Sequence, residues 1–125
     1  MLVCEVMSSP AVTFRPGDAV RQAIHALYDN HITAAPVLGD HGELVGMVSE
    51  IDLLCGEFAS GASPKRVGDV MSRTLVTVAE TTEAATLIDL MVHKRIKTVP
   101  VLRDVELVGI VTRRDLMAVL TRDRD

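Results

Sequence analysis

Aromatic residues are nearly missing from this 125-residue chain: it has no tryptophan, one tyrosine (Tyr28) and two phenylalanines (Phe14 and Phe58). A core built from it must be aliphatic, drawn from the Val, Leu, Ile, Ala and Met that dominate its 48% apolar share. With a net charge of -4, the chain also lacks what a nucleic-acid coat needs, a basic surface and rings on which bases stack. The two cysteines, Cys4 and Cys55, stand too far apart for a CxxC redox pair or a local metal knuckle, and fit reduced thiols. His25, His31, His41 and His93 do not fall at zinc-ligand spacings. There is no GK[ST] phosphate loop, no G-x-S-x-G, no H-E-x-x-H and no evident nucleophile–base pair, so no enzyme is expected. No apolar run approaches the roughly 20 residues of a membrane-spanning helix. The opening MLVCEVMSSP has no basic segment followed by a long apolar one, so it does not read as a secretory signal. The expectation is a cytoplasmic protein without a membrane partner. A charged share of 24% beside so many apolar residues excludes a disordered chain.

The chain contains the same unit twice. Shifted by 64 positions, VMSSPAVT (Val6 to Thr13) falls on VMSRTLVT (Val70 to Thr77), and ITAAPVLGD (from Ile32) on IKTVPVLRD (from Ile96). With His41 skipped, ELVGMVSEIDL falls on ELVGIVTRRDL. Each copy begins with a short extended piece, Val12-Thr13 or Val76-Thr77. A helical pattern follows: Val20, Ala23, Ile24 and Leu27 share one face, as do Ala84, Leu87, Ile88 and Met91. Asp18 and Thr82 stand at the predicted cap positions. Two apolar strands, APVL with ELVGMV and VPVL with ELVGIV, make a hairpin in each copy. A last helix carries Ile51, Leu53 and Leu54 in one copy and Leu116, Met117 and Leu120 in the other; Met47, Met71, Met91 and Met117 are read as core. Each copy is therefore β-α-β-β-α. About 50 residues alone would bury too little surface, so the two copies are expected to share one aliphatic core. GEFASGASPKR (Gly56 to Arg66) reads as the joint, giving repeat 1 over 1–60, a linker over 61–67 and repeat 2 over 68–125.

These blocks, in this order and twice over, resemble a pair of CBS domains, the tandem arrangement called a Bateman module. The resemblance covers nearly the whole chain. It rests on the VM before the first strand, the PV in the second, and a G-h-h-[ST]-x-x-D step (h apolar) at the third strand and helix start. It implies an α/β fold of two β-α-β-β-α CBS repeats packed about a pseudo-twofold axis, and a regulatory module that is not an enzyme and requires no cofactor. It implies an adenosine-containing ligand such as AMP, ADP, ATP or S-adenosylmethionine. It further implies a homodimer through the helices, with Ile24, Leu27, Ile88 and Met91 as candidates, and a regulated protein reached in trans. Nucleic acid is disfavoured as a partner.

The repeated Ser49-Glu50-Ile51-Asp52 and Thr112-Arg113-Arg114-Asp115 steps admit two readings. Each fits a helix capping box, in which the hydroxyl takes an amide of the first turn and the carboxylate reaches back. Each also sets a short carboxylate at a helix start, able to take both hydrogen bonds of a ribose diol beside amides suited to phosphate. Gly46 and Gly109 would let a neighbouring segment approach the strand closely. The family resemblance carries Asp52 and Asp115 over as ribose ligands and Ser49 and Thr112 as ribose or phosphate contacts. It carries Val12, Thr13, Ala35, Pro36, Val76, Thr77, Val99 and Pro100 over as adenine-pocket positions, although Val12, Ala35, Val76 and Val99 also read as strand core. Lys97 stands where the family often has a basic phosphate ligand, opposite Thr33 of the first copy. Arg113 and Arg114, opposite Glu50 and Ile51, are unfavourable to a helix dipole unless an anion is present. The second copy is therefore expected to favour phosphorylated ligands. The competing function is an interaction module with empty pockets.

Overall fold

The two apolar hairpins form where the sequence places them. The computed structural model describes residues 1–59 and 65–121. In chain order its elements are α1 (Val20–Asp29), β1 (Ala34–Leu38), β2 (Leu44–Ser49), α2 (Glu50–Phe58), α3 (Val67–Val70), β3 (Val78–Ala79), α4 (Ala84–Lys94), β4 (Thr98–Arg103), β5 (Glu106–Thr112) and α5 (Arg113–Thr121). The mixed α/β architecture matches the expected class. Strands β1 and β2 pair antiparallel, with Ala35 opposite Val48 and Val37 opposite Gly46. Strands β4 and β5 repeat the pattern, with Val99 opposite Val111 and Val101 opposite Gly109. In both hairpins the register slips at the same place, after Val37 and after Val101.

The extended piece that opens each repeat pairs later than predicted. Phe14 makes one parallel bridge to Val37, and β3 runs parallel to β4 with Val78 opposite Val101. Val12-Thr13 and Val76-Thr77 lie just before these contacts. Beside β3, Arg103 grips Glu80 through both guanidinium nitrogens it presents, at 2.9 and 3.0 Å. In the first repeat Pro16 and Gly39 occupy the matching positions, and the residues next to them, Arg15 and Asp40, form an ion pair at 3.2 Å with the charges reversed.

The largest departure from the sequence reading lies in how the chain is partitioned. One compact unit is Met1–Ala11 with Val76–Asp125, and the other is Val12–Leu75. The short lead-in of each repeat thus packs on the hairpin of the opposite repeat. Ser72 exchanges both backbone hydrogen bonds with Met47 of β2, at 2.8 and 2.9 Å. Ser8 exchanges both with Ile110 of β5, at 2.8 and 3.0 Å. This third strand-like contact explains the prolines. Pro36 lies opposite Met47 and Pro100 opposite Ile110, residues whose backbone groups turn away to Ser72 and Ser8. A residue without an N–H costs nothing there. It also explains the glycines: a Cβ on Gly46 would stand 2.6 Å from the sulfur of Met71, and one on Gly109 2.7 Å from that of Met7.

The lead-ins also start the helices. Val20 donates its amide to Lys65 O, and Ala84 donates to Met1 O. The first residues outside α1 and α4 are Ala19 and Glu83, neither of which caps through its side chain. Asp18, predicted as the cap, instead accepts the Arg15 amide, and Thr82 accepts the Val3 amide through its carbonyl. Backbone carbonyls from a distant segment satisfy the orphan amides that a cap side chain would otherwise take.

Buried residues form a cluster within each unit, aliphatic except for Phe14 in the unit Val12–Leu75. Val3 and Val67, from the two lead-ins, are fully buried in them. Val67 falls in the stretch that the sequence marks as linker, yet it opens α3. Likewise Gly56, Glu57 and Phe58, read as the start of the joint, complete α2, while residues 61–64 lie outside the described residues. The last helices bury less than predicted. Leu53 and Gly56 are the buried residues of α2 and Val119 that of α5, whereas Ile51, Leu54, Met117 and Leu120 are exposed. Met91 is core, Met47 and Met71 are half-buried, and Met117 faces solvent. No helix among the described residues is long and apolar enough to cross a membrane.

Candidate functional site

Both [ST]-x-x-D steps sit where a strand ends and a helix begins, and both close as capping boxes. In the first copy, Ser49 donates its amide to Asp52 Oδ2 at 2.9 Å, and Asp52 donates its amide to Ser49 Oγ at 3.2 Å. The Glu50 amide is taken by Thr33 O at 2.9 Å. Two of the first three amides of α2 are therefore already satisfied, which leaves little of the helix start for a phosphate.

The second copy repeats this and adds to it. Thr112 donates its amide to Asp115 Oδ2 at 2.8 Å and its hydroxyl to the same oxygen at 3.1 Å, while the Asp115 amide donates to Thr112 Oγ1 at 3.2 Å. Arg113 donates its amide to Lys97 O at 3.3 Å. The other carboxylate oxygen, Oδ1, takes the hydroxyl of Ser8 at 2.7 Å. Asp52 has no such partner among the described residues; Ser72, the counterpart of Ser8, bonds locally with Thr74. Ser8 and Ser72 were not among the residues singled out from the sequence. The signal was present, since the repeated VM continues as VMS in both copies.

The remaining predicted residues divide by burial. Ala35, Pro36, Val99 and Pro100 are fully buried, so their side chains serve the strand core. Val12, Val76 and Thr77 are half-buried and Thr13 is exposed, which leaves these four accessible to a ligand. Lys97, Arg113 and Arg114 are exposed, and none forms an ion pair with a described residue. A shallow cleft of about 330 Å³ lies beside α2, lined by Asp52, Cys55, Gly56, Ala59, Lys65, Asp69 and Val70. It shares only Asp52 with the predicted set. No group of three or more His, Cys, Asp or Glu among the described residues could hold a metal ion.

This combination defines a class: paired α/β repeats with exchanged lead-ins, each ending its hairpin in a capped carboxylate. The model of the CBS domain family matches residues 3–55 and 67–122, and the chain belongs to that family. Among curated relatives, inosine-5'-monophosphate dehydrogenase of Methanocaldococcus jannaschii is 31% identical over 90% of this chain, but the match spans only 22% of the enzyme. An uncharacterized protein of Methanopyrus kandleri, MK0525, is 29% identical over 94% of this chain and 61% of its own length. The relatives named as enzymes thus contain this module as a small part. Among solved structures, CBSX2 in complex with AMP is 27% identical with a TM-score of 0.88, covering 99% of this chain and 98% of that one. The CBS domain pair of MJ0100, in complex with 5'-methylthioadenosine and S-adenosyl-L-methionine, is 26% identical with a TM-score of 0.87, covering 98% and 97%.

Proposed function

We propose that this chain is a regulatory module that binds an adenosine-containing ligand, whether AMP, ADP, ATP or S-adenosylmethionine, and catalyses nothing itself. The observation that carries the reading is the pair of half-buried carboxylates, Asp52 and Asp115, fixed by capping boxes in a fold whose relatives at 26–27% identity are complexes with adenosine compounds. A capped carboxylate is held in one orientation and retains lone pairs for a ribose diol. Val12, Thr13, Val76 and Thr77 are the accessible positions for the base, with Ala35, Pro36, Val99 and Pro100 buried behind them in the strands. Lys97, Arg113 and Arg114 favour phosphorylated ligands at the second site; Thr33, Glu50 and Ile51 do not do so at the first. The bound state is read by a regulated protein in trans, and the working compartment is the cytoplasm.

The same reading includes a homodimer, on faces other than those predicted. Leu27 and Met91 are core and Ile24 packs against it, so of the four candidates only Ile88 is exposed. The apolar residues open to a second copy are Ile51, Leu54 and Phe58 on α2 and Met117 and Leu120 on α5. Helix α2 opens with Glu50 and α5 with Arg113 and Arg114, so an α2 face and the α5 face of a second copy carry complementary charge.

Thermal unfolding with millimolar AMP, ADP, ATP, S-adenosylmethionine and GTP is the test, with light scattering on the same samples. A ligand at one hundred times its Kd adds about 2.7 kcal/mol. Adenine compounds are expected to raise Tm more than GTP does, and the mass is expected to be that of a dimer. In ATP calorimetry, Asp115→Asn is expected to weaken the tighter event and Asp52→Asn to spare it. No shift with any adenine compound would favour an interaction module with empty pockets, a reading to which the satisfied capping boxes lend weight. A monomer mass at micromolar concentration would remove the dimer.

A further inference from the structure

Ser8 and Ser72 occupy the same place in the two lead-ins. Each exchanges two backbone hydrogen bonds with the middle of a hairpin strand, so the Cα of each is pinned. Each follows a methionine packed where a glycine leaves no room for a Cβ. Their hydroxyls nevertheless point to different partners. Ser8 Oγ donates to Asp115 Oδ1 at 2.7 Å, whereas Ser72 Oγ bonds with the amide and carbonyl of Thr74 at 3.3 and 3.5 Å. Among the described residues, Asp115 therefore carries three hydrogen bonds on its carboxylate, two on Oδ2 and one on Oδ1, where Asp52 carries one on Oδ2.

We propose that Ser8 is a specificity-determining residue that makes the two diol sites unequal, by holding the carboxylate oxygen of Asp115 that a ribose would use. The proposal rests on the ribose role of the two aspartates set out above. A carboxylate oxygen accepts about two hydrogen bonds in good geometry, so a vicinal diol meets Asp115 with at most one position left on Oδ1. At Asp52 both positions on Oδ1 are unclaimed by described residues. The lead-in is anchored by buried Val3 and Val6, so the Ser8 backbone does not leave with the ligand. Only the hydroxyl rotor turns, and turning it forfeits a hydrogen bond to a charged acceptor. The first site is then the better diol site and the second the better phosphate site. A compound with ribose and no phosphate should distinguish them.

The probe is adenosine, titrated calorimetrically into the full chain, with 2'-deoxyadenosine and 3'-deoxyadenosine as controls. Asp52→Asn leaves the second site to be read alone, and Asp115→Asn the first; melting curves check that each variant is folded. In the Asp52→Asn background, Ser8→Ala is expected to tighten adenosine about five- to ten-fold, roughly one hydrogen bond to a charged group. The gain should shrink for both deoxy compounds, a dependence that a general effect on folding would not produce. In the Asp115→Asn background, Ser72→Ala is expected to leave adenosine affinity unchanged. Unaltered or weaker adenosine binding on Ser8→Ala overturns the proposal and leaves the sensing function standing. Equal gains for adenosine and the deoxy compounds also overturn it. Failure of the unmodified chain to bind adenosine, AMP, ADP, ATP and S-adenosylmethionine alike removes the sensing function, and the role of Ser8 with it.

Discussion

Helices α2 and α5 begin with the same four-residue step and end differently anchored. Helix α2 is fixed by Leu53, fully buried, and by Gly56, where a Cβ would stand 2.7 Å from a methyl of Val70 in α3. Helix α5 has Leu116 at the Leu53 position, only partly buried, and relies on Val119, 9% exposed. Its carboxylate is tied to a distant serine; among the described residues, that of α2 is tied only to its own cap. One helix is thus held mainly by its apolar face and the other relatively more by its polar start. Identical local motifs do not make equivalent helices, because the residues that complete each one come from elsewhere in the chain.

The largest effect that could break this contrast is in the core. Leu53→Ala is expected to cost about 3 kcal/mol, within the range for a fully buried leucine, and Leu116→Ala about 1 kcal/mol. Urea denaturation of both variants measures the difference, and equal losses would mean that the two helices are anchored alike. At the helix starts the order should reverse. Asp115→Ala removes three hydrogen bonds to its carboxylate, one of them from Ser8, and is expected to cost about 2 kcal/mol; Asp52→Ala removes one and should cost about 1 kcal/mol. Adding Ser8→Ala should bring the Asp115 loss no further, since the two share one bond.

The smallest effect concerns pH. The Arg103 guanidinium holds the Glu80 carboxyl below its ordinary value by hydrogen bonding, outweighing partial desolvation, and Coulomb attraction adds in the same direction. A carboxylate depressed in the folded state stabilises above its unfolded pKa, and that contribution is lost as pH falls through the folded value. Glu80→Gln should therefore weaken the acid dependence of stability. The first repeat has an ion pair beside the matching positions, Arg15 with Asp40, but both side chains are more exposed to solvent than Glu80 is. The pair is solvent-exposed, and added salt should shrink the effect. An acid unfolding curve identical in the two proteins would count against it.

Much of the repeat was legible in the sequence because its signals are local. Apolar runs bounded by turn residues mark β1, β2, β4 and β5, and the i, i+3, i+4, i+7 stripes mark α1 and α4. The capping boxes follow from side chains three residues apart, which can meet only if a helix starts there. The misplaced features share one cause. Val67 reads as linker, Asp18 and Thr82 read as caps, and Met117 reads as core when only neighbours in sequence are considered. In each case the deciding partner comes from elsewhere in the chain or, for Met117, is missing from that face.

Periodicity, turn chemistry and caps act within a few residues, so the elements, their doubling and the two carboxylates at helix starts are readable along the chain. Tertiary structure decided which hairpin each lead-in joins and that Ser8 reaches Asp115. Those choices depend on backbone hydrogen bonds and side-chain volumes brought together from positions tens of residues apart. The VMS blocks are identical in both copies, but two residues on Thr74 offers its amide to Ser72 Oγ where Pro10 has none to offer Ser8; the carboxylate that meets Ser8 instead lies 107 residues further along the chain.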